Sequence, residues 1–259
     1  MIEFDKGPTA RFARLFAECP DYAPYKQHFW YAWGPIFYRG RLDGSARVIC
    51  IASDPGPTER IAARTLVGDA GQRVQGFLAK LGLTRSYLCL NAYAYALFPS
   101  HADDADVLLT DPAHLKWRNR VFVAAHTRNT QAIVAFGKQA QEAVALWTTK
   151  GSTPVFNVPH PSSRDAGRLA TDWRNAVSAL RAIVTPDDDG DASLPNYGAG
   201  VAEADYAPIP RRDLPYGVPD FLGDDSASRP RRRTSVSRPV PDDRHTLIWK
   251  APKRSGSNG

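Results

Sequence analysis

The stretch Val48-Ile49-Cys50-Ile51-Ala52-Ser53-Asp54-Pro55-Gly56-Pro57 changes character halfway along. Its first half is unbroken apolar sequence. A strand with no polar alternation is one buried on both faces, as in a parallel sheet covered by helices. Its second half sets an Asp between a Ser and a Pro-Gly-Pro turn. Proline fixes φ, so this turn is stiff. An ordinary loop does not need a carboxylate held so rigidly at a strand end; an active site does.

Outward from this strand, apolar runs and helical patterns alternate. "ARFARLFAEC" (10–19) reads as an amphipathic helix and "GQRVQGFLAKLG" (71–82) as a helix ended by Gly82. "SYLCLNAYAYAL" (86–97) begins as a strand. "PAHLKWRNRVFVAAHTRN" (112–129) is a helix with Pro112 in its first turn. "QAIVAFG" (131–137) is a strand, "KQAQEAVALW" (138–147) a helix and "TPVFNVPHP" (153–161) a short strand leading into a loop. "LATDWRNAVSALRAIV" (169–184) closes the series as a helix, with Thr171 as its expected cap. The pattern predicts a three-layer α/β/α domain over residues 1–185, around a central, mainly parallel, four-stranded sheet. After Val184 the composition turns acidic and rich in Gly and Pro. Residues 186–259 are expected to be a mostly flexible extension containing the basic run "RPRRRTSVSRP" (229–239) and two patches with apolar anchors that dock on the domain or bind a partner, "DLPYGVPDFLGDD" (213–225) and "HTLIWKAP" (245–252). The Arg run is a solvated tail or an arm for nonspecific phosphate contacts.

Charge narrows the partner. The chain of 259 residues carries a formal net charge of +6. Residues 1–185 hold 22 Lys and Arg against 15 Asp and Glu, so the excess lies on the expected domain, where a nucleic-acid surface needs it. No run of about 18 apolar residues predicts a membrane span. The first residues lack an apolar signal core, so a cytoplasmic location is expected. Cys19, Cys50 and Cys89 are too few and too scattered for a metal site built on thiolates, and read as small buried hydrophobes in a reducing compartment. His101, His114, His126 and His160 lack metal-ligand spacing. No metal or organic cofactor is expected.

In parallel sheets, ligands bind beyond the carboxyl ends of the strands. There the sequence places Asp54, Asn91 and His160. Each has an ordinary reading: Asp54 bonding to turn amides, Asn91 satisfying backbone groups, His160 as a loop residue. Together they supply a carboxylate, an amide and an imidazole. No phosphate loop and no nucleophile elbow is present, although "VGDAGQ" (67–72) puts two glycines just before a helix, a modest signal of an anion or of close backbone approach. What remains is hydrolysis without metal or covalent intermediate.

These residues carry a resemblance. "ASDPG" (52–56), "RTLVGDAGQRVQGFLAKLGL" (64–83), "LCLNAYAYAL" (88–97) and "VPHPSS" (158–163) resemble, in order and spacing, the motifs of the uracil-DNA glycosylase superfamily over roughly residues 35–184. The match is a hybrid. Asp54 resembles the catalytic Asp of family 1, while Gly56 and the segment after it are similar to family 4. The iron–sulfur cysteines of family 4 are missing, and Ser53 stands where that family has Glu. Gly56 stands where family 1 has a thymine-excluding Tyr. Leu66 falls on the position of the uracil-stacking Phe, leaving Tyr93 and Tyr95 as stacking candidates. The resemblance implies that Asp54 positions the attacking water and that His160 donates to the departing base. It further implies that Asn91, with Ser53, Gly56 and Leu66, lines the uracil pocket. Ser162 and Ser163 would meet the DNA backbone, with Arg164 at the wedge position. It implies a monomeric DNA-repair hydrolase that flips uracil from single- and double-stranded DNA and leaves an abasic site. Two other functions remain open from the residues: a module that binds uracil or abasic DNA with weak turnover, and a flavodoxin-like nucleotide-binding domain.

Overall fold

The computed structural model describes residues 3–216. The chain runs through α1 (Ala10–Ala17), β1 (Tyr38–Gly40), β2 (Val48–Ala52), α2 (Pro57–Ala62), α3 (Asp69–Lys80) and β3 (Tyr87–Asn91). It continues through α4 (Val107–Thr110), α5 (Pro112–Ala125), β4 (Ala132–Phe136), α6 (Lys138–Ala145), β5 (Val155–Val158) and α7 (Ala166–Arg181). The sheet order is β1-β3-β2-β4-β5. β2, β3, β4 and β5 are parallel, and β1 adds antiparallel to β3. The α/β class and the layering are as expected. The strand number is corrected from four to five, because the three-residue β1, Tyr-Arg-Gly, carries no apolar run to announce it.

β2 is buried along its whole length, as its unbroken apolar sequence requires. Alternate residues serve opposite layers. Ile49, Ile51, Leu88, Leu90 and Ile133 face the layer that contains α1, α5 and α6. Val48, Cys50, Cys89, Val134 and Phe136 face α3 and α7, where Phe77 and Trp173 fill the interface. All three cysteines are free thiols, and burial pushes Cys19 up to about 12. The closing helix starts earlier than expected. Asp165, not Thr171, is its N-cap, its side chain accepting from the Arg168 N–H, and Thr171 lies within the helix. No helix among the described residues is long and apolar enough to cross a membrane.

Packed chain continues beyond the boundary expected at 185. Asp187, Tyr197, Ile209, Asp213 and Leu214 are all buried. Asp187 accepts from the amides of Thr84, Arg85 and Ser86 and so holds the start of β3. Asp213 reaches the fully buried Arg39 of β1 at 3.1 Å and accepts from the Tyr87 hydroxyl at 2.7 Å. It also pairs with Arg41. The expected flexible extension is therefore, over 186–216, a segment laid against the domain by single anchors. The basic run, the "HTLIWKAP" patch and most of "DLPYGVPDFLGDD" lie outside the described residues.

Candidate active site

Strand pairing decides where the chemistry-bearing residues meet. Ala52 and Asn91 are register partners on β2 and β3, and the Tyr93 N–H donates to the Ser53 carbonyl at 2.9 Å. Asp54 and Asn91 therefore leave adjacent strand ends, about 5 Å apart by the usual inter-strand spacing. His160 follows β5 but leans over the end of β4. A Cβ built on Gly137 would stand 2.9 Å from the His160 Cβ, and Gly137 has φ +88°. Only glycine meets both demands. β4 neighbours β2, so the imidazole stands over the strand next to the one that ends at Asp54.

Asp54 is half-buried. Its Oδ2 accepts the Leu97 N–H at 2.9 Å. Burial pushes its pKa up to about 6; bonds from Leu97 and Ser53 act against that rise, and nearby Glu59 adds to it. The carboxylate is thus ionised at neutral pH yet poised to take a proton. Ser53, itself buried, stands behind Asp54 and supports it.

The Asn91 carboxamide is the unusual group. Both its oxygen and its nitrogen are buried and neither has a hydrogen-bond partner. Buried amides are almost always paired, because an unpaired one loses its hydration for nothing. An orphaned donor–acceptor pair at a strand end suits a planar ligand that presents the complementary pair.

His160 is neutral at pH 7, since burial first and the Arg73 guanidinium second lower its pKa. Its Nδ1 accepts the Ser162 N–H at 3.1 Å. The neutral ring therefore carries its proton on Nε2 and can donate from there. The surrounding carbonyls are tied down. Pro159 accepts from the Trp173 indole at 3.0 Å, and Pro161 from Arg73 at 2.7 Å. The Ser163 amide closes the loop onto the His160 carbonyl at 2.8 Å. The amides of Ser162 and Ser163 thus shape the histidine's own loop, with the Ser162 and Arg164 side chains exposed beside it.

Glu59 is the residue that sequence reasoning missed. It is buried, and one carboxylate oxygen accepts from Gly56 while the other accepts from Val67 and Gly68. It therefore stitches the Asp54 turn to the entry of α3. Its signal was present in the spacing: an acidic residue three after the helix N-cap Gly56. It also fills the anion site expected at "VGDAGQ", with a carboxylate from the chain itself. Pro55 has no amide, and that of Gly56 is taken by Glu59.

The pocket-wall expectations divide. Leu66 is buried in the core beside α3, in a left-handed conformation with φ +52°. Tyr93 is a core residue whose hydroxyl donates to the Ala105 carbonyl at 3.2 Å, so it is not free to stack on a ligand. Tyr95 is half-buried between Tyr22 and Tyr31. A surface groove between α1 and α5, lined by Arg11, Arg14, Lys116 and Arg120, shares none of these residues.

The sequence profile of the Uracil DNA glycosylase superfamily matches residues 39–181. Among curated proteins, none matches the chain. The matched span covers over half of the sequence, runs from β1 through α7 and takes in every strand end that frames Asp54, Asn91 and His160; the chain belongs to the uracil-DNA glycosylase superfamily.

Proposed function

We propose that this protein excises uracil from DNA, the specific form of the glycosylase reaction on DNA that superfamily membership indicates. The nucleotide turns out of the stack, at a cost of a few kcal/mol for a paired base and less in a single strand. The Asn91 carboxamide then accepts from the uracil imide N–H and donates to the adjacent carbonyl. Cytosine offers the opposite pattern at those atoms. As the bond between C1′ and N1 breaks, its electron pair passes to the base. The His160 Nε2–H donates to the carbonyl next to that bond, a contribution of about 3 kcal/mol for donors of this kind. Asp54 orients a water toward C1′, faces the positive charge that grows on the sugar, and accepts the water's proton. The stiff Pro55 and Pro57 turn, with Glu59 behind it, holds the carboxylate in place beforehand. The exposed Ser162 and Arg164 meet the DNA backbone. The reading calls for no metal or cofactor.

The observation that carries this reading is the buried, unpartnered carboxamide of Asn91 at the end of β3. The test is an oligonucleotide with one uracil, single-stranded or opposite guanine, with a matching thymine control. Alkali would reveal abasic sites formed by wild type, and base release is expected to fall at least 100-fold in Asp54→Asn and in Asn91→Ala. A folded wild type that leaves both uracil substrates intact would refute the reading. Uracil-dependent binding without base release would make the protein a damage-binding module instead.

A further inference from the structure

Beside Asp54, two loops bring aromatic rings to the surface. Trp30 is 42% exposed. It stacks on Trp33 with ring centroids 5.0 Å apart and planes 15° from parallel. Phe98 lies against it at 4.4 Å. The Arg60 guanidinium of α2 sits 5.3 Å from the Trp33 ring centroid. Trp33 and Phe98 are half-buried, and an exposed tryptophan backed by such rings marks an interaction site more often than a scattered apolar residue does.

The backbone fixes the cluster. The Trp30 N–H donates to the Ala96 carbonyl at 2.8 Å, and the Phe98 N–H to the His28 carbonyl at 2.9 Å. Leu97, between Ala96 and Phe98, is the residue whose amide holds the Asp54 carboxylate. The platform is thus one residue removed from a direct bond to Asp54. It approaches from the β3 side of β2, whereas His160 and the Ser162–Arg164 loop approach from the β4–β5 side.

The geometry points to a second nucleotide subsite: Trp30, backed by Trp33 and Phe98 and with Arg60 over the Trp33 ring, stacks an unpaired base of the strand whose neighbouring nucleotide enters at Asp54. This inference rests on DNA being the substrate of the Asp54 site. Every base has a flat π-face, so an aromatic platform holds a strand without reading its sequence. Arg60 supplies the complementary charge for the backbone phosphate. In a duplex the base faces are covered by their neighbours, so the platform favours single-stranded DNA.

The full-length protein would be titrated with a fluorescent thymidine oligonucleotide of about 12 residues, single-stranded or in duplex and free of uracil. Anisotropy and tryptophan emission would be followed together. Stacking on an aromatic side chain corresponds to about 5- to 150-fold in affinity per base. Trp30→Ala is therefore expected to weaken single-strand binding by roughly tenfold or more, and duplex binding by less. Trp30→Phe is expected to recover most of the loss, and the KM for single-stranded uracil substrate to rise in step with the lost affinity. Single-strand binding unchanged in a Trp30→Ala protein with a normal melting curve would overturn the subsite. So would concentration-dependent dimerisation that disappears in Trp30→Ala, since a second copy would then cover the face. If wild type releases no uracil but loses single-strand binding on Trp30→Ala, the excision reading falls and the subsite stands. If uracil is released and Trp30→Ala leaves the single-strand KM in place, the reverse holds.

Discussion

Replacing Asp54 with Asn is expected to cost the reaction and strengthen the fold. Burial at the end of β2 raises the Asp54 pKa from 3.8 to about 6. A carboxyl raised in this way binds its proton more tightly in the folded chain than in the unfolded one. Below about pH 4 both states are protonated and the difference vanishes. Between about pH 4 and 6 the folded state holds a proton that the unfolded state has lost, so stability falls as pH rises. Above about 6 the whole penalty is present. A rise of two units corresponds to about 3 kcal/mol. Because the carboxylate is only half-buried, about 1–2 kcal/mol is the reasonable expectation. Asn keeps the oxygen that accepts from Leu97 and removes the charge. Asp54→Asn should therefore gain about 1–2 kcal/mol at pH 8, or roughly 2–8 °C in Tm for a domain of this size, and little at pH 4. Urea and thermal unfolding of both proteins across that pH range would measure it, with base release followed in parallel. An advantage that is absent at pH 8, or that grows on acidification, would refute the raised pKa and the desolvation behind it.

Glu59→Gln removes the charge that helps to raise Asp54, so the acid limb of kcat/KM is expected to move to lower pH. It also turns an acceptor into a donor facing an amide, for a loss of about 1–3 kcal/mol; a pH–rate profile and a melt would show both. Gly137→Ala puts a side chain at φ +88° and against the His160 Cβ. A stability loss of about 1–2 kcal/mol is expected, with kcat in single-turnover base release falling at least tenfold. Asp213→Ala leaves Arg39 buried without its counter-charge, and full-length protein should lose about 3–5 kcal/mol in denaturant unfolding. An unchanged midpoint there would mean that the 186–216 segment does not hold the sheet.

How much of this was legible depended on the kind of burial. β2, β3 and β4 are buried by continuous apolar runs, and such runs are visible locally. The positions of Asp54, Asn91 and His160 followed from the strand ends alone. β1 was invisible because its central residue is Arg39, whose burial rests on partners distant in sequence: Thr65, Gln75 and, 174 residues away, the counter-charge of Asp213. Over 186–212 the anchors, such as Asp187 and Ile209, are isolated in polar chain and show no period; Asp213 and Leu214 fall in the "DLPYGVPDFLGDD" patch, whose apolar anchors do stand out in the sequence. The Pro-Gly-Pro turn was recognised as rigid, but its second proline is also the first residue of α2, where the missing amide costs nothing. Thr171 fits a cap in composition. Asp165 takes the position because the chain is already helical from Ala166. Trp30 and Trp33 come from a stretch without periodicity, so nothing local marked them as exposed rather than buried.

The long reach of Asp213 has a consequence for the order of events during synthesis. β1, β2 and β3 all leave the ribosome within the first 91 residues, yet the guanidinium of Arg39 has to wait for residue 213 before it is neutralised. Until then the sheet edge carries a charge that opposes its own burial. Full closure of that edge is therefore expected only once residue 213 has emerged, with β1 held until then by its pairing to β3 and by the bonds of Arg39 to Thr65 and Gln75.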